Sequence, residues 1–165
     1  MNDTDLQGQV VAYQTLIDQQ KTLLLSTVNA QGEAEASYAP YVRDEDGVFY
    51  IYVSELASHT QNMLQKHHAS ILIIRSEKDS KNIFARERVT FQCKVLEVLV
   101  NSENYARQLL NMEQQLGETM ALLRSLPDFH LLALKPVSGK YIAGFGKAYS
   151  IGLGRLSKNI SIVID

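Results

Sequence analysis

The 165-residue chain has a single cysteine, Cys93. That excludes an intramolecular disulfide and any metal cluster built on several thiolates. No apolar run is long enough to span a bilayer, and the opening Met1-Asn2-Asp3-Thr4-Asp5 is acidic where a secretory leader is basic and then apolar. A reducing, cytoplasmic setting is the expectation. A charge surplus is also missing: 16 Lys+Arg against 18 Asp+Glu give a formal net charge of −2 and a pI near 6.1. Nothing therefore draws the whole chain to nucleic acid or to an anionic membrane, and any negative ligand must be held locally.

Several catalytic signatures are missing too. Gly144-Phe145-Gly146-Lys147 lacks the spacing of a phosphate-binding P-loop, and no Ser-His-Asp order carries a nucleophile elbow, which argues against a nucleotide-loop protein and a hydrolase. His67 and His68 are adjacent, so they splay about 100° apart on a helix end and do not share a metal. No repeat, linker or low-complexity segment interrupts the chain, and 45% hydrophobic content supports one compact domain.

What is present reads as mostly strand. Leu6, Val10, Tyr13 and Ile17 recur at helical spacing and predict an opening amphipathic helix. Thr22 to Val28 and the alternating Glu33 to Val42 flank the turn Asn29-Ala30-Gln31-Gly32, which predicts a hairpin. Arg43 to Gly47 is a second turn, and Val48 to Val53 a third strand. After a short helix ending near Lys66, the apolar run Ala69 to Ile74 and the long segment Val89 to Val100 read as strands, with Cys93 a buried filler in the second. Asn101-Ser102 caps a helix carrying Tyr105, Leu109 and Met112. A further helical stretch ends at Pro127, and Phe129 to Leu134 and Lys140 to Tyr149 are the last strands, with Pro136 and Gly139 turning the chain between them. Many strands on short connections predict an antiparallel sheet curled into a barrel with peripheral helices.

The densest small polar cluster, Ser54-Glu55-Leu56-Ala57-Ser58-His59-Thr60, falls where a strand gives way to a helix. A helix N-terminus presents unpaired N–H groups and a positive dipole end, so Ser54, Ser58, Thr60 and His59 fit a seat for phosphate or carboxylate. The ordinary alternative is that Ser54 or Ser58 caps the helix. Downstream, Arg75, Lys78, Lys81, Arg86 and Arg88 form a local basic surplus, and Arg86 and Arg88, two apart at a strand start, are expected to face one way and clamp an anion. A solvated charged loop is the alternative there. Asp128 is either a turn residue after Pro127 or a carboxylate that orients an imidazole or a ligand water, and His130 reads as a satisfied, partly exposed histidine.

Four blocks in register carry a resemblance: Ser54 to Met63 followed by Ser70-Ile71-Leu72-Ile73; Asn82-Ile83-Phe84-Ala85-Arg86-Glu87-Arg88-Val89-Thr90; Leu126-Pro127-Asp128-Phe129; and Gly139 to Ala148. Together they resemble the haem-utilisation (HugZ/HutZ-type) branch of the pyridoxamine 5'-phosphate oxidase-like FMN-binding split-barrel superfamily. The resemblance implies a mainly β, six-stranded antiparallel split barrel over residues 1–150 with a tail over 151–165, pairing as a homodimer. It implies haem or FMN bound between subunits, with oxidative haem degradation in some members; an FMN-dependent oxidoreductase and a non-enzymatic haem or flavin binding module are the alternatives. Ser54, Ser58, His59, Thr60, Arg75, Arg86 and Arg88 would then be cofactor-binding, and Asp128 and His59 catalytic. The branch also implies an axial histidine from a C-terminal segment. No histidine follows His130 in this sequence, so iron would take another donor, such as His59 or His130.

Overall fold

The computed structural model describes residues 3–152. Helix α1 (Asp3–Gln19) buries Val10, Tyr13, Leu16 and Ile17, the stripe its spacing predicts. Strands β1 (Thr22–Val28) and β2 (Ala34–Pro40) pair antiparallel across the Asn29–Gly32 turn. Then come β3 (Val42–Arg43), β4 (Phe49–Ser54), α2 (Ser58–Lys66) and β5 (His68–Ile74). Two 3-10 turns, Glu77–Asp79 and Ile83–Ala85, lead to β6 (Arg88–Glu97), α3 (Glu103–Leu116), α4 (Thr119–Arg124), β7 (Phe129–Gly144) and β8 (Lys147–Ile151). The sheet runs β2-β1-β5-β6-β7-β4-β3, with β8 bonded to β7, and every pairing is antiparallel. It curls into a half-barrel around α1.

Alternation decides which side chains enter. Leu23 and Leu25 of β1, Ala69, Ile71 and Ile73 of β5, and Val89, Phe91, Cys93 and Val95 of β6 all point inward. Tyr41, Phe49 and Phe91 meet at the centre with ring centroids 5.5 and 5.7 Å apart. Strand β4 is covered on both faces because α3 and α4 pack Leu109, Met112 and Met120 against Val42, Tyr50, Leu131 and Ala133. This explains its unbroken run Phe49-Tyr50-Ile51-Tyr52-Val53.

Three expectations are corrected. Among the described residues the sheet has eight strands rather than six: Tyr41 leaves β2, turns its N–H to the Lys21 carbonyl and leads into the short β3 beside β4, and β8 adds a further strand beside β7. Pro136 and Gly139 do not turn the chain, since β7 runs straight through them for 16 residues. Pro136, which has no N–H to give a ladder, sits opposite Cys93 where the β6–β7 register shifts. Gly139 is there for space: a Cβ would lie 2.6 Å from Cδ1 of Phe91. The turn falls instead at Phe145-Gly146, where Gly144 pairs with Lys147 and Gly146 has φ 69°. The barrel extends to Ile151, and residues 153–165 of the expected tail lie outside the described residues. No helix among the described residues is long and apolar enough to cross a membrane.

Candidate functional site

The junction after β4 is pinned to the start of β7. Ser54 and Phe129 are the last ladder pair; beyond them Ser54 Oγ donates to Asp128 Oδ2 at 2.6 Å, and the Glu55 N–H donates to the Asp128 carbonyl at 2.7 Å. Ser54 Oγ also accepts from the Leu56 N–H at 3.1 Å, so this one hydroxyl shapes the turn and orients the carboxylate. Neither serine caps α2: its N-cap is Ala57, which offers no side-chain acceptor.

The first turn of α2 then reaches across to β2. His59 Nδ1 lies 2.9 Å from Ser37 Oγ, and Nε2 has no hydrogen-bond partner among the described residues. Burial pushes the His59 pKa down while the Glu35 charge opposes it, which favours the neutral ring at pH 7. Buried Asn62 donates to Thr27 Oγ1 at 3.0 Å and to Glu35 Oε2 at 2.8 Å. Hydrogen bonds from Asn62, Ser58 and Asn29 hold the Glu35 carboxyl below its usual range. Thr60, grouped with the hydroxyl donors on sequence, is instead 0% exposed, and its hydroxyl has no partner among the described residues. It belongs to the interior of the α2 turn.

His130 is held from both sides. Its Nε2 is 2.6 Å from Glu55 Oε1, and its Nδ1 meets Glu97 Oε1. Desolvation alone would lower its pKa, but the hydrogen bonds and charges of Glu97 and Glu55 outweigh it and raise it. Both ring nitrogens of His130 are thus engaged by carboxylates.

The basic edge is also self-contained. Arg75 Nε donates to Glu87 Oε2 at 2.6 Å, and Tyr141 donates to the other oxygen of Glu87 at 2.6 Å. Arg86 follows a 3-10 turn rather than lying in β6, so strand alternation does not apply to it. It bends back to give Nε and Nη2 to the Arg75 carbonyl at 3.0 and 2.6 Å. Arg88 gives Nη1 to the Arg86 carbonyl at 2.9 Å. The expected two-arginine clamp is therefore a locked loop, with the rest of the Arg88 guanidinium left over.

The two candidate groups do not meet within one chain. Glu97, bonded to His130 beside Asp128, closes β6, and Arg88 opens it. Ten strand residues put the ends about 30 Å apart. The sequence reading did not single out Glu35, Ser37 and Glu97, whose only signal was polarity alternating along β2 and at the end of β6, and it gave Asn62 no role within the Ser54–Met63 block.

An antiparallel half-barrel with peripheral helices defines the split-barrel class. The family model for pyridoxamine 5'-phosphate oxidase matches residues 11–143. The chain belongs to that family, in the branch that holds HutZ and ChuZ. It is 37% identical over 133 residues to Heme oxygenase HutZ of Vibrio cholerae, covering 81% of this chain and 75% of that protein. The crystal structure of HutZ, there described as a heme storage protein, superposes with a TM-score of 0.72 at 34% identity, covering 76% of this chain and 87% of HutZ. Campylobacter jejuni ChuZ gives a TM-score of 0.85 at 27% identity, over 95% of this chain and 63% of ChuZ.

Proposed function

We propose that this protein binds haem in a cleft between two copies of the chain and degrades it oxidatively. The observation that carries this reading is the 37% identity to Heme oxygenase HutZ. The residues present fit the group. His59 offers a neutral imidazole with Nε2 unbonded among the described residues, and it could ligate iron through Nε2 in the tautomer whose Nδ1–H donates to Ser37. Asp128, oriented by Ser54, can fix a water or an imidazole presented to it. Arg88 is a cation for a haem carboxylate.

The distance between the two polar groups supports pairing of two copies. Arg88 and Glu97, the latter bonded to His130 beside Asp128, stand at opposite ends of β6 about 30 Å apart, so in this reading one ligand meets the Asp128 corner of one subunit and the Arg88 of the other. The outer face of the sheet offers a surface for this: Leu24 (48% exposed) and Tyr38 (63% exposed) stand directly opposite each other, with Leu72 on the other side of Leu24. Haem supplies the redox chemistry when bound; the chain binds it, orients it and positions the proton-bearing groups.

FMN is the second reading, favoured by the uncapped N-terminus of α2 beside Ser58. Glu35 weighs against it, since an ionised carboxylate hydrogen-bonded to that same turn repels a phosphate.

Titrating the purified protein with haemin tests the assignment. A Soret band saturating at one haem per chain, on a species that elutes as a dimer, is expected; a yellow flavin spectrum with no response to haemin overturns it. Ascorbate added to the complex should bleach the band and free iron, whereas a stable band indicates a carrier.

A further inference from the structure

The turn between β3 and β4 holds a cation without a counter-ion. Arg43 ends β3 and pairs with Phe49 of β4, and its guanidinium carbon lies 5.5 Å from the centroid of that buried ring. Its Nε is buried and has no acceptor, and no carboxylate among the described residues comes within ion-pair distance of the side chain. Asp44, the nearest acid in sequence, is engaged by the turn instead: Oδ1 accepts from the Val48 N–H at 2.9 Å and Oδ2 from the Tyr50 hydroxyl at 2.9 Å. Gly47 lets the turn close over the guanidinium, since its φ is 82° and a Cβ there would lie 3.2 Å from Arg43 Nη2. A buried charged donor left unpaired is costly, so the arrangement lacks an acceptor.

There is room for one. Arg43 borders a cavity of about 580 Å³ between α1 and this turn, within the ordinary range for a small-molecule site. Buried Tyr13, Val48 and Phe91 give it an apolar wall, and exposed Asp18, Glu45 and Asp46 make its lining acidic on the solvent side, with Lys135 the second cation. No residue of the Ser54–Thr60 corner or of the Arg75–Arg88 edge lines it. We propose that this cavity binds a free apolar amino acid, with the carboxylate on Arg43, the ammonium toward Asp18 and Asp46, and the side chain against Tyr13 and Phe91. The guanidinium fork matches a carboxylate. Three acids on the solvent side attract an ammonium group and oppose a phosphate or a dicarboxylate. The assignment is independent of the haem reading and uses a different part of the chain.

The test uses the full chain without haem, titrated with L-leucine, L-methionine and L-phenylalanine and followed by the amide NMR signal of Gly47, which lies against Arg43. At least one of the three should shift that signal with a Kd below about 1 mM, and its amide, which has no carboxylate, should bind at least about tenfold more weakly. Arg43→Gln should weaken the amino acid about tenfold or more, and Arg43→Lys less. Because Arg43 also packs on Phe49, a second variant leaves the interior untouched: Asp18→Asn/Asp46→Asn should weaken the amino acid about threefold at low salt, with the difference disappearing at high salt. The same variant should bind 3-phenylpropanoate, the phenylalanine analogue without an ammonium group, no more weakly than wild type does. No shift with any of the three amino acids at about ten times that Kd overturns the assignment, as does equal binding by the amide or by a folded Arg43→Gln protein. If 3-phenylpropanoate binds as tightly as phenylalanine and the double variant changes nothing, the cavity takes a plain carboxylate and the amino-acid assignment is wrong.

Discussion

Ser54 and Asp128, 74 residues apart in sequence, share a 2.6 Å hydrogen bond that joins the end of β4 to the start of β7. The Ser54 hydroxyl donates to the Asp128 carboxylate and accepts from the Leu56 N–H, so one oxygen fixes both the turn and the acid. Ser54→Ala removes a charge-assisted bond and should cost about 1–2 kcal/mol by urea denaturation. Asp128→Asn keeps an acceptor for the hydroxyl and should cost less, while lowering the rate of haem loss under ascorbate more than Ser54→Ala does. Equal stability losses for the two variants would contradict this division of roles.

His130 makes the same corner sensitive to pH. Its folded pKa is raised above the usual 6.5 because the pull of Glu97 and Glu55 exceeds the desolvation cost. The stabilisation is complete below about pH 6.5, where both folded and unfolded forms hold the proton, and is lost as pH rises through the folded value. The thermal midpoint of the wild type should therefore fall as pH rises above 6.5, and that of His130→Gln should change much less. Parallel curves for the two proteins would show that the paired glutamates do not act through His130.

Gly139 measures how closely β7 approaches the core. A methyl group there would meet Phe91 Cδ1 at 2.6 Å, Phe91 Cε1 at 2.8 Å and the Thr90 carbonyl at 3.0 Å. Phe91 is buried against Phe49, so it has little room to yield. Gly139→Ala should destabilise by about 1–3 kcal/mol in chemical denaturation. Ala substituted at Gly144, whose Cβ would meet nothing within 4 Å, should cost much less.

Cys93 should be inert in the folded protein. Burial pushes its thiol up to about 12, and it is 2% exposed in the strand facing the core. A thiol reagent should label it only after denaturant is added, and labelling of native protein on a timescale of minutes would contradict the placement of β6.

Much of the fold could be read from local pattern, because burial follows the periods of α1, β1, β5 and β6 directly. The long β7 could not. Pro136 and Gly139 look like turn residues until the register shift at Gln92/Cys93 and the Phe91 ring are seen to require them. The polar corner was visible as a dense run at a strand–helix junction, but its partners are remote: Ser37 is 22 residues from His59, and Glu97 is 33 from His130. Thr60 and Arg86 were misplaced for one reason. A residue type at a junction suggests a donor, whereas only the surrounding packing shows whether that donor faces a ligand, the core or its own loop.

We propose that Asp128 and Arg88 serve one haem from two different subunits. It is tested by joining a subunit carrying His59→Ala/Asp128→Asn to one carrying Arg88→Glu, isolating the mixed dimer with two affinity tags, and titrating it with haemin. One site of the mixed dimer then combines both intact halves, so half the wild-type capacity should return at wild-type affinity although each parent dimer binds poorly. A mixed dimer that binds no better than either parent would place both groups at a site within one chain and contradict the account.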